Sequence, residues 1–256
     1  MASPFEVICE IEPPTRPDLR RVRHQIGVLT PIASAFLIPD NHLGRATVSS
    51  IAVAHEVEAM GGRSIACLTC RDRNELGLRR DLLTAAAYGV DQFLCVYGDK
   101  PTVGGRTSEL TVRTMLDEIR SFDRWVDGGP PRVGVVGGPG ALPAWKRSAD
   151  FVFAQVSFSV DALCRWRDRV DVDLPVYAGV MVLASVEQAR RLAATIPDIA
   201  IPDELVRRVA ADGDAGVEAA CEQVLALRAS GAVAGVHLIP VSRYRTVAAR
   251  LETLLA

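Results

Sequence analysis

The chain has 256 residues, 49% of them hydrophobic, and a formal net charge of -2. That apolar content is enough for a buried core without disulfide or metal staples and excludes a largely disordered chain. The balanced charge excludes a broad basic surface for nucleic acid, and no apolar run reaches the roughly 18 residues that cross a bilayer.

In chain order, β-rich apolar runs at 5–11, 32–38, 64–70, 92–98, 132–138, 151–158, 175–183 and 235–242 predict eight strands. They are nearly continuous in apolar residues, as strands covered on both faces are. Helical periodicity occupies 45–60, 74–88, 108–125, 160–170, 185–195, 203–211, 215–230 and 244–255. This alternation predicts an α/β fold: a single (β/α)8 TIM barrel spanning 1–256. The rival, a doubly wound sheet, usually has a Gly-rich first turn, whereas the turn here reads Glu12-Pro13-Pro14. The fifth βα unit is abbreviated: twelve residues separate Gly138 from Phe151, and Pro143 interrupts them, leaving room for a turn or two of helix near 142–147.

The N-terminal run MASPFEVICEIEPP lacks a basic leader, so a cytoplasmic protein is expected, with no membrane or nucleic-acid partner and no evident obligate protein partner. Six cysteines lie mostly in apolar runs and read as small hydrophobes. Cys67 and Cys70 form a C-x-x-C, but on a strand residues three apart face opposite ways. The four histidines are scattered, so no metal site is expected, and His42 alone is placed near a strand's C-terminal end. Phosphate-loop, zinc-protease and nucleophile-elbow motifs are absent.

Barrel enzymes gather their chemistry at the C-terminal ends of the strands. There the sequence places Glu10 and Glu12, Asp99 after Gly98, Gln155 inside an apolar run, and Ser242-Arg243. A carboxyl with apolar neighbours, as Glu10 has in Cys9 and Ile11, loses hydration when charged and can serve as a general acid. Pairing with a cation is the competing role for Glu10, and Glu12 shares its strand parity and could be the acid instead. Asp99 reads equally as a turn former, and Gln155 as a satisfied core amide. The run Gly137-Gly138 reads as a tight turn whose bare backbone could admit a flat ligand.

Together these residues resemble the methylenetetrahydrofolate reductase family, with the matches ordered along almost the whole chain. They are Glu10-Ile11-Glu12-Pro13-Pro14, Cys67-Leu68-Thr69-Cys70, Tyr97-Gly98-Asp99-Lys100-Pro101, Gln155-Val156-Ser157-Phe158-Ser159, Ile201-Pro202-Asp203 and Pro240-Val241-Ser242-Arg243. The resemblance implies a barrel that reduces 5,10-methylenetetrahydrofolate to 5-methyltetrahydrofolate. It implies Glu10 as the acid that opens the methylene bridge to an iminium, and Asp99 as the carboxylate favouring that cation. Gln155, Asp99 and Arg243 are implied as folate contacts. The family's usual FAD contacts are depleted: its flavin-facing His is Cys67 here, its second-strand Thr is Phe36, and the fifth helix collapses, leaving Lys146 and Arg147 as basic candidates. The resemblance is therefore to a short, flavin-independent, mycobacterial-type branch. FAD is expected to be absent, with hydride passing directly from NADH or NADPH. Phe36, Cys67, Thr69, Gly137 and Gly138 are the expected cofactor contacts. The alternatives are an FAD-dependent enzyme for the same reaction, a non-catalytic folate-binding module, and a methyltransferase-like barrel, for which no metal-ligand cluster is visible.

Overall fold

Strands that are apolar on both faces need cover on both, and a parallel barrel sheathed in helices supplies it. The computed structural model describes residues 4–123, 129–138, 140–196 and 199–255. Among them are β1 (Glu6–Glu10), β2 (Ala35–Ile38), β3 (Ser64–Thr69), β4 (Gln92–Val96), β5 (Arg132–Gly137), β6 (Phe151–Val156), β7 (Val176–Met181) and β8 (Gly235–Ile239). They pair in parallel in sequence order, and β8 closes onto β1. The expected (β/α)8 barrel is thus the observed fold.

The helices are α1 (Arg20–Leu29), α2 (Ser50–Ala59), α3 (Glu75–Ala87), α4 (Val112–Ser121), α5 (Val160–Val170), α6 (Val186–Thr195), α7 (Asp203–Ala211), α8 (Ala215–Ser230) and α9 (Tyr244–Leu255). Helix α1 was not predicted. Its four buried residues, Val22, Gln25, Ile26 and Leu29, do follow helical spacing, but the surrounding arginines and the polar Gln25 mask the stripe. Helix α2 begins later than expected: residues 45–49, which follow a 3-10 turn at His42–Gly44, are non-helical with Arg45 extended, and Ser49 caps the helix by accepting from the Ile51 amide. Helix α4 starts after Thr111, which forms a capping box with Thr114; the expected extension to 125 runs outside the described residues. The short fifth unit holds one 3-10 segment, Ala144–Ser148.

Strand parity divides the core in two. Ile8, Ala35, Leu37, Ile65, Cys67, Leu94, Phe151, Phe153 and Tyr177 fill the lumen. Their opposite-parity neighbours, among them Val7, Cys9, Phe36, Ala66 and Cys95, pack beneath the helices. Cys67 and Cys70 accordingly fall in different layers, and all six cysteines are free. Gly134 makes room for the lumen, since a Cβ there would lie 1.9 Å from the Phe151 ring.

The barrel floor is closed by Glu6, which accepts a 2.5 Å hydrogen bond from the Tyr177 hydroxyl and pairs with Arg63 at 2.6 Å. Burial pushes the Glu6 carboxyl up, but the Tyr177 hydrogen bond and Arg63 outweigh it and hold it below its ordinary value near 4.5. Glu6 therefore contributes stability at pH values above the range where the unfolded carboxyl titrates, and that contribution is lost as pH falls through the lower folded value. Urea unfolding as a function of pH is expected to show a shallower loss of stability on the acid side for Glu6→Gln than for the native chain.

Candidate active site

The inward parity that fills the lumen also aims residues at its C-terminal mouth. Glu10, Thr69, Gln155, His237, Asp40, Asp99 and Lys146 line a cavity there of about 530 Å³. A cavity of this size suits a small organic ligand.

Glu10 ends β1, and His237 stands on the adjacent β8. The His237 Nε2 is 3.2 Å from Glu10 Oε2, with the side chains 11% and 15% exposed. The approach is off the hydrogen-bond line, so Nε2 is a buried polar atom with no hydrogen-bond partner. Such an atom fits a site that a ligand group completes. The Phe153 ring meets the imidazole edge to face at 5.3 Å. Glu12, by contrast, is 58% exposed at the rim, 3.9 Å from Arg45. The two carboxyls that the sequence left in competition are thus separated by environment.

A buried ionic network frames the β2–β3 side. Asp40 accepts from the Thr69 amide at 3.1 Å and from the Thr69 hydroxyl at 3.0 Å. Arg73 pairs with Asp40 at 2.5 Å and with Asp81 at 2.8 Å. Burial alone would lower the Arg73 pKa, but these carboxylates reverse the effect and raise it. The network fixes Thr69, whose hydroxyl is also 2.6 Å from Asp72 and shares its one proton between the two carboxylates.

Asp99 follows Gly98, whose φ of +91° only a glycine holds comfortably, all the more because a Cβ would meet Thr69 at 2.9 Å. The carboxylate accepts from the Leu43 amide at 2.8 Å, and Thr102 donates to the Gly44 carbonyl at 2.8 Å. These bonds clamp the β4–α4 loop to the strained 3-10 turn and hold His42 at the mouth.

Gln155 owes its direction to a register shift. From Phe153 to Val156 on β6, three steps oppose only two on β7, from Tyr177 to Gly179. Such a bulge turns a side chain out of the ladder, and Gln155 is exposed at the mouth where a regular strand would bury it. Lys146, in the shortened fifth unit, donates to the Val136 carbonyl at 2.6 Å. Partial burial lowers its pKa.

Of the residues singled out from the sequence, Glu10, Asp99, Gln155, Cys67, Thr69, Gly138 and His42 line this cavity. Three do not. Phe36 points away from the lumen into the helix layer, because its parity is that of Cys9 rather than Glu10. Gly137 is buried against Trp166, where a Cβ would lie 2.4 Å from the indole, so its role is packing. Arg243 begins the turn into α9 and pairs with Asp214 at 3.3 Å. Arg147, also suggested, donates to the Asp171 carbonyl. His237 was missed, although it shares the signal that marked Gln155: a polar residue inside an apolar strand. Among the described residues there is no metal-binding group of His, Cys, Asp and Glu and no helix long and apolar enough to cross a membrane.

The fold and this mouth define an α/β barrel in which the carboxyl groups of Glu10 and Asp99 and the amide of Gln155 line one cavity. Comparison with known proteins narrows the class. A family model described as methylenetetrahydrofolate reductase matches residues 145–254, which contain Gln155 and His237 but neither Glu10 nor Asp99. No curated protein matches the sequence. Among solved structures, an uncharacterized protein from Clostridium thermocellum that binds two copies of 5-methyl-5,6,7,8-tetrahydrofolic acid is similar, with a TM-score of 0.68 and 12% identity, covering 99% of this chain and 96% of that one. DmoA from Hyphomicrobium sulfonivorans has a TM-score of 0.55 at 11% identity, covering 98% of this chain and 88% of that one. A β-1,3-glucanosyltransferase from Rhizomucor miehei has a TM-score of 0.54 at 10% identity, covering 92% and 86%. At these identities the likeness is one of fold.

Proposed function

We propose that the protein reduces 5,10-methylenetetrahydrofolate to 5-methyltetrahydrofolate, with hydride passing directly from NADH or NADPH and Glu10 as the general acid. The observation that carries this reading is Glu10 beside the unsatisfied His237 at a mouth that also presents Asp99 and Gln155. The family match over 145–254 and the folate bound by the Clostridium protein support a folate-related reductase.

The chemistry assigns one task to each group. Glu10 delivers a proton to N10 of the folate as the bond from the methylene carbon to N10 breaks, leaving an iminium at N5. Hydride from C4 of the nicotinamide then adds to the methylene carbon and gives the methyl group and the oxidised dinucleotide. Asp99 favours the cation electrostatically, and Gln155 offers an amide for the hydrogen-bonding edge of the pterin. His237 is assigned as a positioning residue: its Nε2 lies 3.2 Å from Glu10 Oε2, and a small reorientation when ligand enters completes the hydrogen bond that sets the carboxyl.

The lining favours a dissociable nicotinamide over a resident flavin. Lys146 is the one cation among the described residues of this cavity, and its ammonium already donates to Val136. The groups standing where flavin contacts were sought are Cys67, a thiol whose pKa burial pushes well up, and Phe36, which faces the other way. Few contacts remain for holding a dinucleotide through many turnovers.

The test is an absorbance spectrum of the purified protein together with an NAD(P)H oxidation assay. A colourless protein that oxidises NAD(P)H only in the presence of methylenetetrahydrofolate is the expected result; stoichiometric FAD released on denaturation would contradict it. In the same assay, Asp99→Asn is expected to cost about 2–4 kcal/mol of transition-state stabilisation, read from kcat/KM. An unchanged value would reduce Asp99 to the loop clamp that it makes with Leu43.

A further inference from the structure

Asp40 follows β2 by two residues, and its side chain, 4% exposed, is among those that line the mouth. One of its oxygens is heavily used: Oδ2 lies 3.1 Å from the Thr69 amide, 3.0 Å from the Thr69 hydroxyl and 2.5 Å from the Arg73 guanidinium. The other, Oδ1, accepts no hydrogen bond among the described residues, and with Oδ2 turned to Thr69 and Arg73 it is the oxygen left to face the cavity. A carboxylate buried to this degree, with one oxygen bonded three times over and the other not at all, fits a site where a ligand supplies the missing donor. Lys146, the one cation of the described lining, is anchored on β5 at the Val136 carbonyl. On the neighbouring β3 only Cys67 and Thr69 line the same wall. Strands β2 and β6 stand four apart in a closed barrel of eight, so Asp40 lies across the cavity from Gln155.

We propose that Asp40 Oδ1 is the acceptor for the carboxamide of the hydride donor and fixes the nicotinamide ring against the β2–β3 wall. The proposal rests on the reading above, in which folate and dinucleotide share the mouth. With the pterin edge met by Gln155 on β6, the opposite wall is left to the second reactant. The carboxamide NH2 is the only hydrogen-bond donor on the nicotinamide ring, and a carboxylate oxygen is a stronger acceptor for it than a neutral group. Held there, the ring keeps C4 turned to the methylene carbon, as direct transfer requires.

The experiment measures the affinities of the native protein and of Asp40→Asn for NADH and NADPH and for their reduced 3-acetylpyridine analogues, in which a methyl group replaces the amide nitrogen. In the variant the Thr69 amide and Arg73, which only donate, keep the side-chain oxygen in the place of Oδ2, so an NH2 group faces the mouth where an acceptor stood. Arg73 retains Asp81 at 2.8 Å, and circular dichroism checks the fold. The native protein is expected to bind the natural dinucleotide about tenfold more tightly than its analogue, and the variant to bind the two alike, since both rings carry a carbonyl that an NH2 group can meet. Methylenetetrahydrofolate with and without its 2-amino group is the control pair, and its affinity ratio is expected to be the same in both proteins. Equal native affinities for dinucleotide and analogue overturn the proposal with no variant needed, and so does a preference that Asp40→Asn leaves intact. A variant that loses discrimination at the folate 2-amino group instead assigns Asp40 to the pterin and overturns the proposal as well. A native protein that binds neither reduced dinucleotide overturns the direct-transfer reading itself, so the two failures are distinguishable.

Discussion

Glu10→Gln is expected to fold, to bind folate and to lose about 10²–10⁴-fold in turnover, the usual contribution of a general acid. The amide keeps the shape of the carboxyl and can still face His237, so β1 tolerates it, but it has no proton to deliver when the methylene bridge opens. Glu12→Gln is the matched control: Glu12 is a solvated rim carboxylate and should cost a few-fold at most. His237→Asn should lower kcat while leaving the KM for folate little changed, because it acts through the placement of Glu10 rather than through substrate. Turnover of each variant at saturating folate and nicotinamide decides the matter. A dead Glu12→Gln beside an active Glu10→Gln would assign the acid to the rim, and activity in both would mean that the proton comes from elsewhere.

Arg73→Met is expected to destabilise the fold by about 3–5 kcal/mol, the largest stability effect in the molecule short of opening the core. Arg73 is 12% exposed and Asp40 4%, and no other cation reaches Asp40 in the described structure. Removing the guanidinium leaves a buried carboxylate with only the Thr69 amide and hydroxyl to compensate it. The double variant Asp40→Asn, Arg73→Met should recover part of the loss, since no uncompensated charge then remains in that pair. Urea unfolding of the three proteins measures both effects. A loss below about 1 kcal/mol for Arg73→Met, typical of a solvated pair, would show that water reaches Asp40 freely.

The eight strands were legible because burial on both faces makes each one a continuous apolar run. The same property hid their parity. In β2 every residue is buried, so nothing in Ala35–Ile38 says that Leu37 faces the lumen and Phe36 the helices. That distinction needs the register, in which Glu10 pairs with Leu37 and Cys9 with Phe36. Glu10, Asp99 and Gln155 could be placed at strand ends, yet the bulge that exposes Gln155 lies in the pairing of β6 with β7, where Gly179 accommodates a backbone that a Cβ would meet at 2.8 Å. His237 carried a readable signal that was overlooked. Lys146 reaches the mouth only because the fifth unit is too short for a covering helix, a consequence of closure that spacing could mark but not orient. Arg243 illustrates the converse: a matching motif fixes a residue's place in the chain, while Asp214 decides where its guanidinium goes.

The central claim, direct hydride transfer, is tested most directly with nicotinamide dinucleotide carrying two deuterons at C4. A carbon-bound deuteride handed straight to the iminium cannot exchange with water, whereas one relayed through a flavin N5–H washes out. The account predicts one deuterium in the methyl group of each 5-methyltetrahydrofolate formed in ordinary water. A methyl group carrying only solvent hydrogen, formed at the same rate, would contradict it.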